Sequence, residues 1–233
     1  MSFKKKAKWL DPFTYLDLLL LKIFGEPKSF SIKIVYWIAY ILFAFLCAYL
    51  IYMLLGFILG VNMPLAVVVS HSMEPNLSRG DVVIITRANN LETKTIEINK
   101  AIANKDLKEI AEITYEENEH GLEKTKSIKI EDTIIYMDDI IENDIVVYTS
   151  NTKNKDIVHR LVVHLSAKDG EYVLTKGDND KTNRLIDQDC NIIDGIAKNN
   201  CLNKYPTPIN TLKGKIISRI PYLGYIKLGF FNS

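Results

Sequence analysis

Apolar residues run almost unbroken from Ile34 to Leu59, reading IVYWIAYILFAFLCAYLIYMLLGFIL, and no Asp, Glu, Lys or Arg interrupts the chain between Lys33 and Glu74. A helix of those residues would be roughly 39 Å long at ~1.5 Å per residue, more than the ~30 Å hydrocarbon core of a bilayer requires. The run is too long and begins too late for a cleaved signal peptide. Residues 34–60 therefore read as a transmembrane helix. Ahead of it, residues 10–25 (LDPFTYLDLLLLKIFG) form a shorter apolar patch with Asp17 and Lys22 inside it, the pattern of a helix lying along the membrane surface. Gly25 and Pro27 end that patch, and Gly60, Asn62 and Pro64 break the pattern beyond the long run.

From there the texture changes to short β-branched runs: 65–69 (LAVVV), 81–87 (DVVIITR), 144–150 (DIVVYTS), 156–165 (DIVHRLVVHL), 171–176 (EYVLTK) and 214–220 (GKIISRI). Gly and Asn-Asp punctuation separates them, which describes a mostly β domain of hairpins and meanders. Residues 88–139 stand apart. They are rich in Glu, Lys and Asn, and 100–113 (KAIANKDLKEIAEI) carries apolar residues at helical spacing. They read as a charged, partly helical insertion or satellite subdomain between segments 61–87 and 140–233, which together form the β-rich domain. The last apolar stretch, 220–231, holds Pro221 and Lys227 and is too short to span a bilayer. It is suited to packing under the domain or to resting on a membrane surface.

The 233 residues carry 29 basic and 28 acidic side chains, a net charge of +1 that excludes a strongly basic nucleic-acid binder and an acidic disordered tail. The distribution says more than the total. Residues 1–33 hold seven lysines against three acids, +4, while the remainder holds 22 basic against 25 acidic residues, −3. Lysines on the N-terminal flank predict a cytoplasmic N-terminus and an extracytoplasmic β domain. Tyr36, Trp37 and Tyr40 suit an aromatic belt at the inner interface.

Chemistry enters directly after the long helix, in VVVSHSMEPNLSRGDVVII (67–85). A serine hydroxyl needs a base to become a nucleophile. The histidines available are His71, His120, His159 and His164. His159 and His164 lie five apart in a strand-like run, which predicts opposite faces. His71 adjoins Ser72 but would point away from it in an extended chain, and His120 sits in the charged insertion. The histidines and cysteines lack metal-ligand spacing, and no Gly-rich phosphate loop is present, so the pattern calls for neither a metal nor a cofactor. Cys47 falls in the long helix. Cys190 and Cys201 fall outside it, where a disulfide is permitted if the surroundings oxidise.

The ordered motifs Ser-His-Ser-Met-Glu-Pro (70–75), Arg-Gly-Asp-Val-Val (79–83), Asp-Ile-Val-Val-Tyr (144–148), Ile-Val-His-Arg-Leu (157–161) and Thr-Lys-Gly-Asp-Asn-Asp (175–180), set behind an N-terminal anchor, resemble the signal peptidase I family. The likeness is to its archaeal and endoplasmic-reticulum branch, which has His where the bacterial branch has Lys. Residue by residue, the resemblance implies Ser72 as nucleophile, His159 as general base, and Ser70 as a hydroxyl of the oxyanion hole. The family pattern places one Asp in the Lys-Gly-Asp motif and a second six residues later. Asp178 fits the first, but Arg184 occupies the second and cannot accept an imidazole N–H. Asp187, reached as though about three residues were inserted, is the favoured orienting acid; Asp178 supports the site or its turn, and Asp180 is an alternative acid. Asn143, where the family often has Gly, reads as a turn substitution.

The resemblance implies a membrane-bound serine endopeptidase acting on preproteins that bear signal peptides, with the substrate extended along strand 65–72. Expected partners are the preprotein and the lipid bilayer, with the protein export channel a further candidate and no nucleic acid. Two alternatives remain from the sequence: an inactive membrane-anchored binding or scaffold relative, and a self-cleaving regulatory protease, which would normally carry a DNA-binding N-terminus instead of an anchor.

Overall fold

The computed structural model describes residues 11–118, 121–190, 192–193, 196–197 and 201–231. The chain divides into two units, residues 1–58 and 59–233.

In the first unit, helix α1 (Pro12–Phe24) starts where the Asp11 carboxylate accepts the Phe13 N–H at 3.0 Å and Pro12 supplies the preset φ of a first helical position. It stops at Gly25, whose φ of 71° suits a residue without a Cβ. Helix α2 (Phe30–Leu59) begins four residues before the expected boundary, because Ser29 Oγ accepts the Ile32 N–H and draws Lys33 into the helix. Its most apolar stretch is 6% buried, and among the described residues it is the one helix long and apolar enough to cross a membrane. The Tyr36 hydroxyl donates to the Gly25 carbonyl at 2.8 Å, Tyr40 hydrogen-bonds Asp17, and Phe13 stands edge-on to Phe43 at 5.2 Å. These contacts tie α1 to the first half of α2 and give the acid inside the apolar patch a partner.

The second unit contains β1 (Leu65–Val67), β2 (Val82–Thr86), β3 (Thr95–Ile98), α3 (Leu107–Ile110), β4 (Glu112–Glu117), β5 (Glu123–Ile130), β6 (Thr133–Tyr136), β7 (Ile145–Thr149), β8 (Asp156–Ala167), β9 (Gly170–Lys176), β10 (Ile192–Ile193), β11 (Ile196–Ala197), β12 (Thr207–Pro208), β13 (Gly214–Ile220) and α4 (Tyr225–Phe231). The mostly β expectation holds. The main sheet runs β1-β2-β13-β7-β8-β9-β12, with β3 parallel to β8 beside it; β4-β5-β6 make a smaller antiparallel sheet and β10-β11 a short pair. Among the described residues β1 pairs only with β2, leaving its outer edge open.

Two local expectations are corrected. The helix read over 100–113 is confined to 107–110. Asn104 takes a φ of 57° that breaks the helical path, and the chain passes directly into β4. Ile102, Leu107 and Ile110 are nevertheless buried, so their spacing reported burial while the backbone between them is a turn. The second correction concerns β8. Its register to β9 shifts between Leu161 and Val163, placing Leu161 opposite Thr175 and His164 opposite Val173. That bulge inserts one residue into the alternation, so His159 and His164 lie on the same face of the sheet. His120 lies outside the described residues.

Residues of 88–139 share a core with β8 and β9: Ile96, Ile102, Ile128 and Ile130 are packed in one buried cluster with Leu165, Leu174 and Ile186. The Asp169 carboxylate accepts the Ala103 and Ile102 N–H groups at 2.7 and 3.0 Å, pinning the turn ahead of α3 to the β8–β9 hairpin.

Candidate active site

Ser72 lies on the loop between β1 and β2. The next residue, Met73, is fully buried among Val83, Ile85 and Val147, and Leu77 joins the same cluster. Burying those two side chains, each worth about 1.5–3 kcal/mol, fixes a loop that would otherwise be a polar connector. Ser72 itself stays partly exposed and Ser70 is exposed, with their hydroxyl oxygens 3.0 Å apart. His71 turns away to pair with Glu74 at 2.7 Å. The Ser72 carbonyl accepts the Asn179 N–H at 2.9 Å, and the Asn179 side-chain amide donates to the His71 carbonyl at 2.8 Å. Gly177 lies against the same carbonyl: a Cβ there would stand 2.7 Å from Ser72 O. The serine loop is thus docked on the turn that leaves β9.

His159 stands on β8 opposite Val146 of β7, one position before Arg160, which faces Lys176 at the end of β9. Its ring is 2% exposed, and Nδ1 lies 2.7 Å from Asp187 Oδ2. Asp187 is 1% exposed, and the same oxygen accepts hydrogen bonds from Tyr148 (2.8 Å) and Thr175 (2.7 Å). A carboxylate can only accept, so His159 Nδ1 carries a proton. Nε2 makes no hydrogen bond among the described residues. Burial, and then the Asp187 charge, push the Tyr148 hydroxyl well above its ordinary value, so it remains a donor. The Asp187 backbone is fixed as firmly: its N–H donates to Thr175 O, and its carbonyl accepts the Leu202 and Asn203 N–H groups. Cys190 and Cys201 are joined by a disulfide that ends beside this segment.

The other acids are occupied elsewhere. Asp178 takes a two-pronged pair from Arg160 (Nε and Nη2, both 2.8 Å) and the Asn76 side-chain amide at 2.8 Å. It therefore braces the serine loop against β8. Asp180 pairs with Lys176 at 2.7 Å and Lys124 at 3.1 Å; burial opposes ionisation there, but the two ammonium groups hold its carboxyl below the ordinary value. Arg184 reaches away to the Glu123 carbonyl. Asn143 does more than complete a turn. Its amide donates to Thr93 and to the Leu161 carbonyl, while its own carbonyl accepts from Arg160 at 2.6 Å. Sequence reasoning missed Tyr148 and Thr175. Both stand in alternating strands, but only the register of β7, β8 and β9 reveals that they share the face of His159.

The set comprises a partly exposed serine with a second hydroxyl at hydrogen-bond distance, and a buried imidazole whose Nδ1–H is held by a carboxylate. These are the parts from which serine hydrolase chemistry is built. No protein-family model matches the chain. Two relatives do. One is the signal peptidase complex catalytic subunit sec11 of Schizosaccharomyces pombe, 26% identical over 181 residues, covering 78% of this chain and 74% of the relative. The other is the signal peptidase complex catalytic subunit SEC11 of Scheffersomyces stipitis, 26% identical over 186 residues, covering 80% and 76%. The resemblance to the endoplasmic-reticulum branch of the signal peptidase I family thus extends over about four-fifths of the chain.

Proposed function

We propose that this chain is a membrane-bound serine endopeptidase that removes N-terminal signal peptides from exported preproteins. Helix α2 is its single membrane span, with the lysine-rich N-terminus cytoplasmic and the β domain extracytoplasmic. The substrate lies extended along the open edge of β1, held by backbone hydrogen bonds that are indifferent to its sequence. Ser72 Oγ attacks the carbonyl carbon of the scissile bond while His159 Nε2 takes its proton. The C–N bond then breaks, the proton passes to the leaving amine of the mature protein, and the signal peptide remains as an ester on Ser72. Water, deprotonated by the same nitrogen, hydrolyses the ester. Ser70 Oγ and the Ser72 N–H stabilise the oxyanion of each tetrahedral intermediate, and a single such donor is worth on the order of 10²–10³ in rate. Asp187 positions His159 and balances the imidazolium. Asp178, through Arg160 and Asn76, positions the loop.

The buried His159–Asp187 hydrogen bond at 2.7 Å carries this reading. An inactive scaffold has no need of a buried carboxylate that gathers three donors on one oxygen beside an open imidazole nitrogen. The test is cleavage of a preprotein in membranes by wild type and by Ser72→Ala, His159→Ala, Asp187→Ala and Asp178→Ala chains. Ser72→Ala and His159→Ala should abolish cleavage. Wild-type rates from Ser72→Ala would refute the enzyme, and a fully active Asp187→Ala beside a dead Asp178→Ala would refute the assignment of the acid. Co-purification of the export channel with the full chain tests that partner.

A further inference from the structure

Beyond Ser72, the loop opens onto a cleft of about 480 Å³ between Asn76 and Gly177 on one side and the β5–β6 end of the small sheet on the other. That volume lies in the range of about 300–1,000 Å³ that accepts a compact ligand. Three observations bear on what enters it. First, it is continuous with the serine loop: Asn76 follows Ser72 closely in the chain, and Gly177 supports the Ser72 carbonyl. Second, Thr125 lines it at 1% exposure, and its Oγ1 has no hydrogen-bond partner among the described residues. A buried hydroxyl without a partner costs about 1–3 kcal/mol, so a ligand that supplies one relieves that cost. Third, its rim carries both charges. Lys126 is more than half exposed and pairs with Glu116 at 3.6 Å, and Asp138 makes no ion pair among the described residues.

We propose that this cleft is the subsite for the preprotein residues that follow the cleaved bond. The inference rests on the reading in the preceding section. In that reading the signal-peptide side lies along β1, which enters the loop before Ser72. Pro75 and Asn76, which leave the loop after Ser72, lead into the cleft, on the side where the leaving amine departs. An extended peptide matches the lining chemically: its backbone can pair with the Thr125 hydroxyl, and its side chains of either sign meet Lys126 or Asp138. The insertion 88–139 would then read the start of the mature protein, while the edge strand reads the end of the signal peptide.

The experiment uses the full chain in detergent micelles and two kinds of synthetic substrate sharing one signal sequence. One ends directly after the first mature residue. The other continues through a short mature segment carrying either glutamates or lysines. Lys126→Glu should raise KM about two- to fivefold for the glutamate segment and lower it for the lysine segment, the scale of an exposed ion pair, with kcat unchanged. Asp138→Lys should do the reverse. Thr125→Val should raise KM for both extended substrates. Cleavage of the short substrate should be unaltered in all three variants, which also reports that they fold. KM values independent of the mature segment, or shifts shared by the short substrate, overturn the subsite and leave the proposed function standing. If wild type cuts neither substrate, or Ser72→Ala cuts both, the proposed function fails and the subsite with it.

Discussion

Replacing Asp187 separates two jobs that the carboxylate does at once. Asp187→Asn keeps the side chain's volume but removes its charge and puts donors where an acceptor stood. In the proposed mechanism the His159 ring, 2% exposed and 2.7 Å away, then has no anion to balance the positive charge it acquires during attack. Comparable substitutions behind a catalytic histidine lower kcat by about 10⁴, equivalent to about 5 kcal/mol of barrier. Asp187→Ala does more. It strands the Tyr148 hydroxyl, the Thr175 hydroxyl and the His159 N–H in an interior shut off from water. At about 1–3 kcal/mol for each unpaired donor, the loss is about 3 kcal/mol even at the low end, a large share of the ~5–15 kcal/mol that holds a domain together. Urea unfolding of both variants, together with preprotein cleavage corrected for the folded fraction, separates the effects. The Asn chain should stay folded and turn over slowly; the Ala chain should be both slow and less stable. An Asn chain within tenfold of wild type would show that His159 takes its orientation from something else.

Further outcomes follow from the same geometry. Gly177→Ala sets a Cβ 2.7 Å from the Ser72 carbonyl; the loop must move, and cleavage should fall by about 10², the scale of a 1 Å misplacement, with little change in melting temperature. Replacing Cys190 and Cys201 together with Ser should cost about 2–4 kcal/mol in denaturant unfolding, and reductant should do the same to wild type and nothing to the variant. The Asp169 carboxyl is held below its ordinary value of 3.8 by the Ala103 and Ile102 N–H groups. A depressed folded pKa contributes stability that is complete above that value and is lost as pH falls through the folded one, so Asp169→Asn should flatten the stability curve below about pH 4.

Much of this was legible from the chain because burial leaves a period behind. The strands β1, β2, β7, β8, β9 and β13 each fall within or beside a β-branched run read in advance, and α2 follows from forty consecutive residues without a charge. Ser72, His159 and Asp187 were named from motif order, and the structure puts the last two in contact. What escaped was whatever depends on register. β5 reads EKTKSIKI; its three lysines make a strand with a fully buried Ile128 and Ile130 look like part of a charged insertion. β3 pairs in parallel with a strand about seventy residues later, and no local pattern announces such a partner. The bulge in β8 reversed the facing of His164 for the same reason, since alternation counts residues and cannot see one that is skipped.

The place of β13 in the sheet bears on how its two halves hold together. β1 and β2, which hold the Ser72 loop, join the β7–β8–β9 block that holds His159 and Asp187 through β13, which pairs with β2 on one side and β7 on the other. Among the described residues β13 is the last strand in chain order. A chain that ends before Gly214 lacks the strand hydrogen-bonded to both β2 and β7. Its Ser72 loop is then held to the other half of the sheet by loop contacts such as the Asn179 hydrogen bonds and the packing of Met73 on Val147.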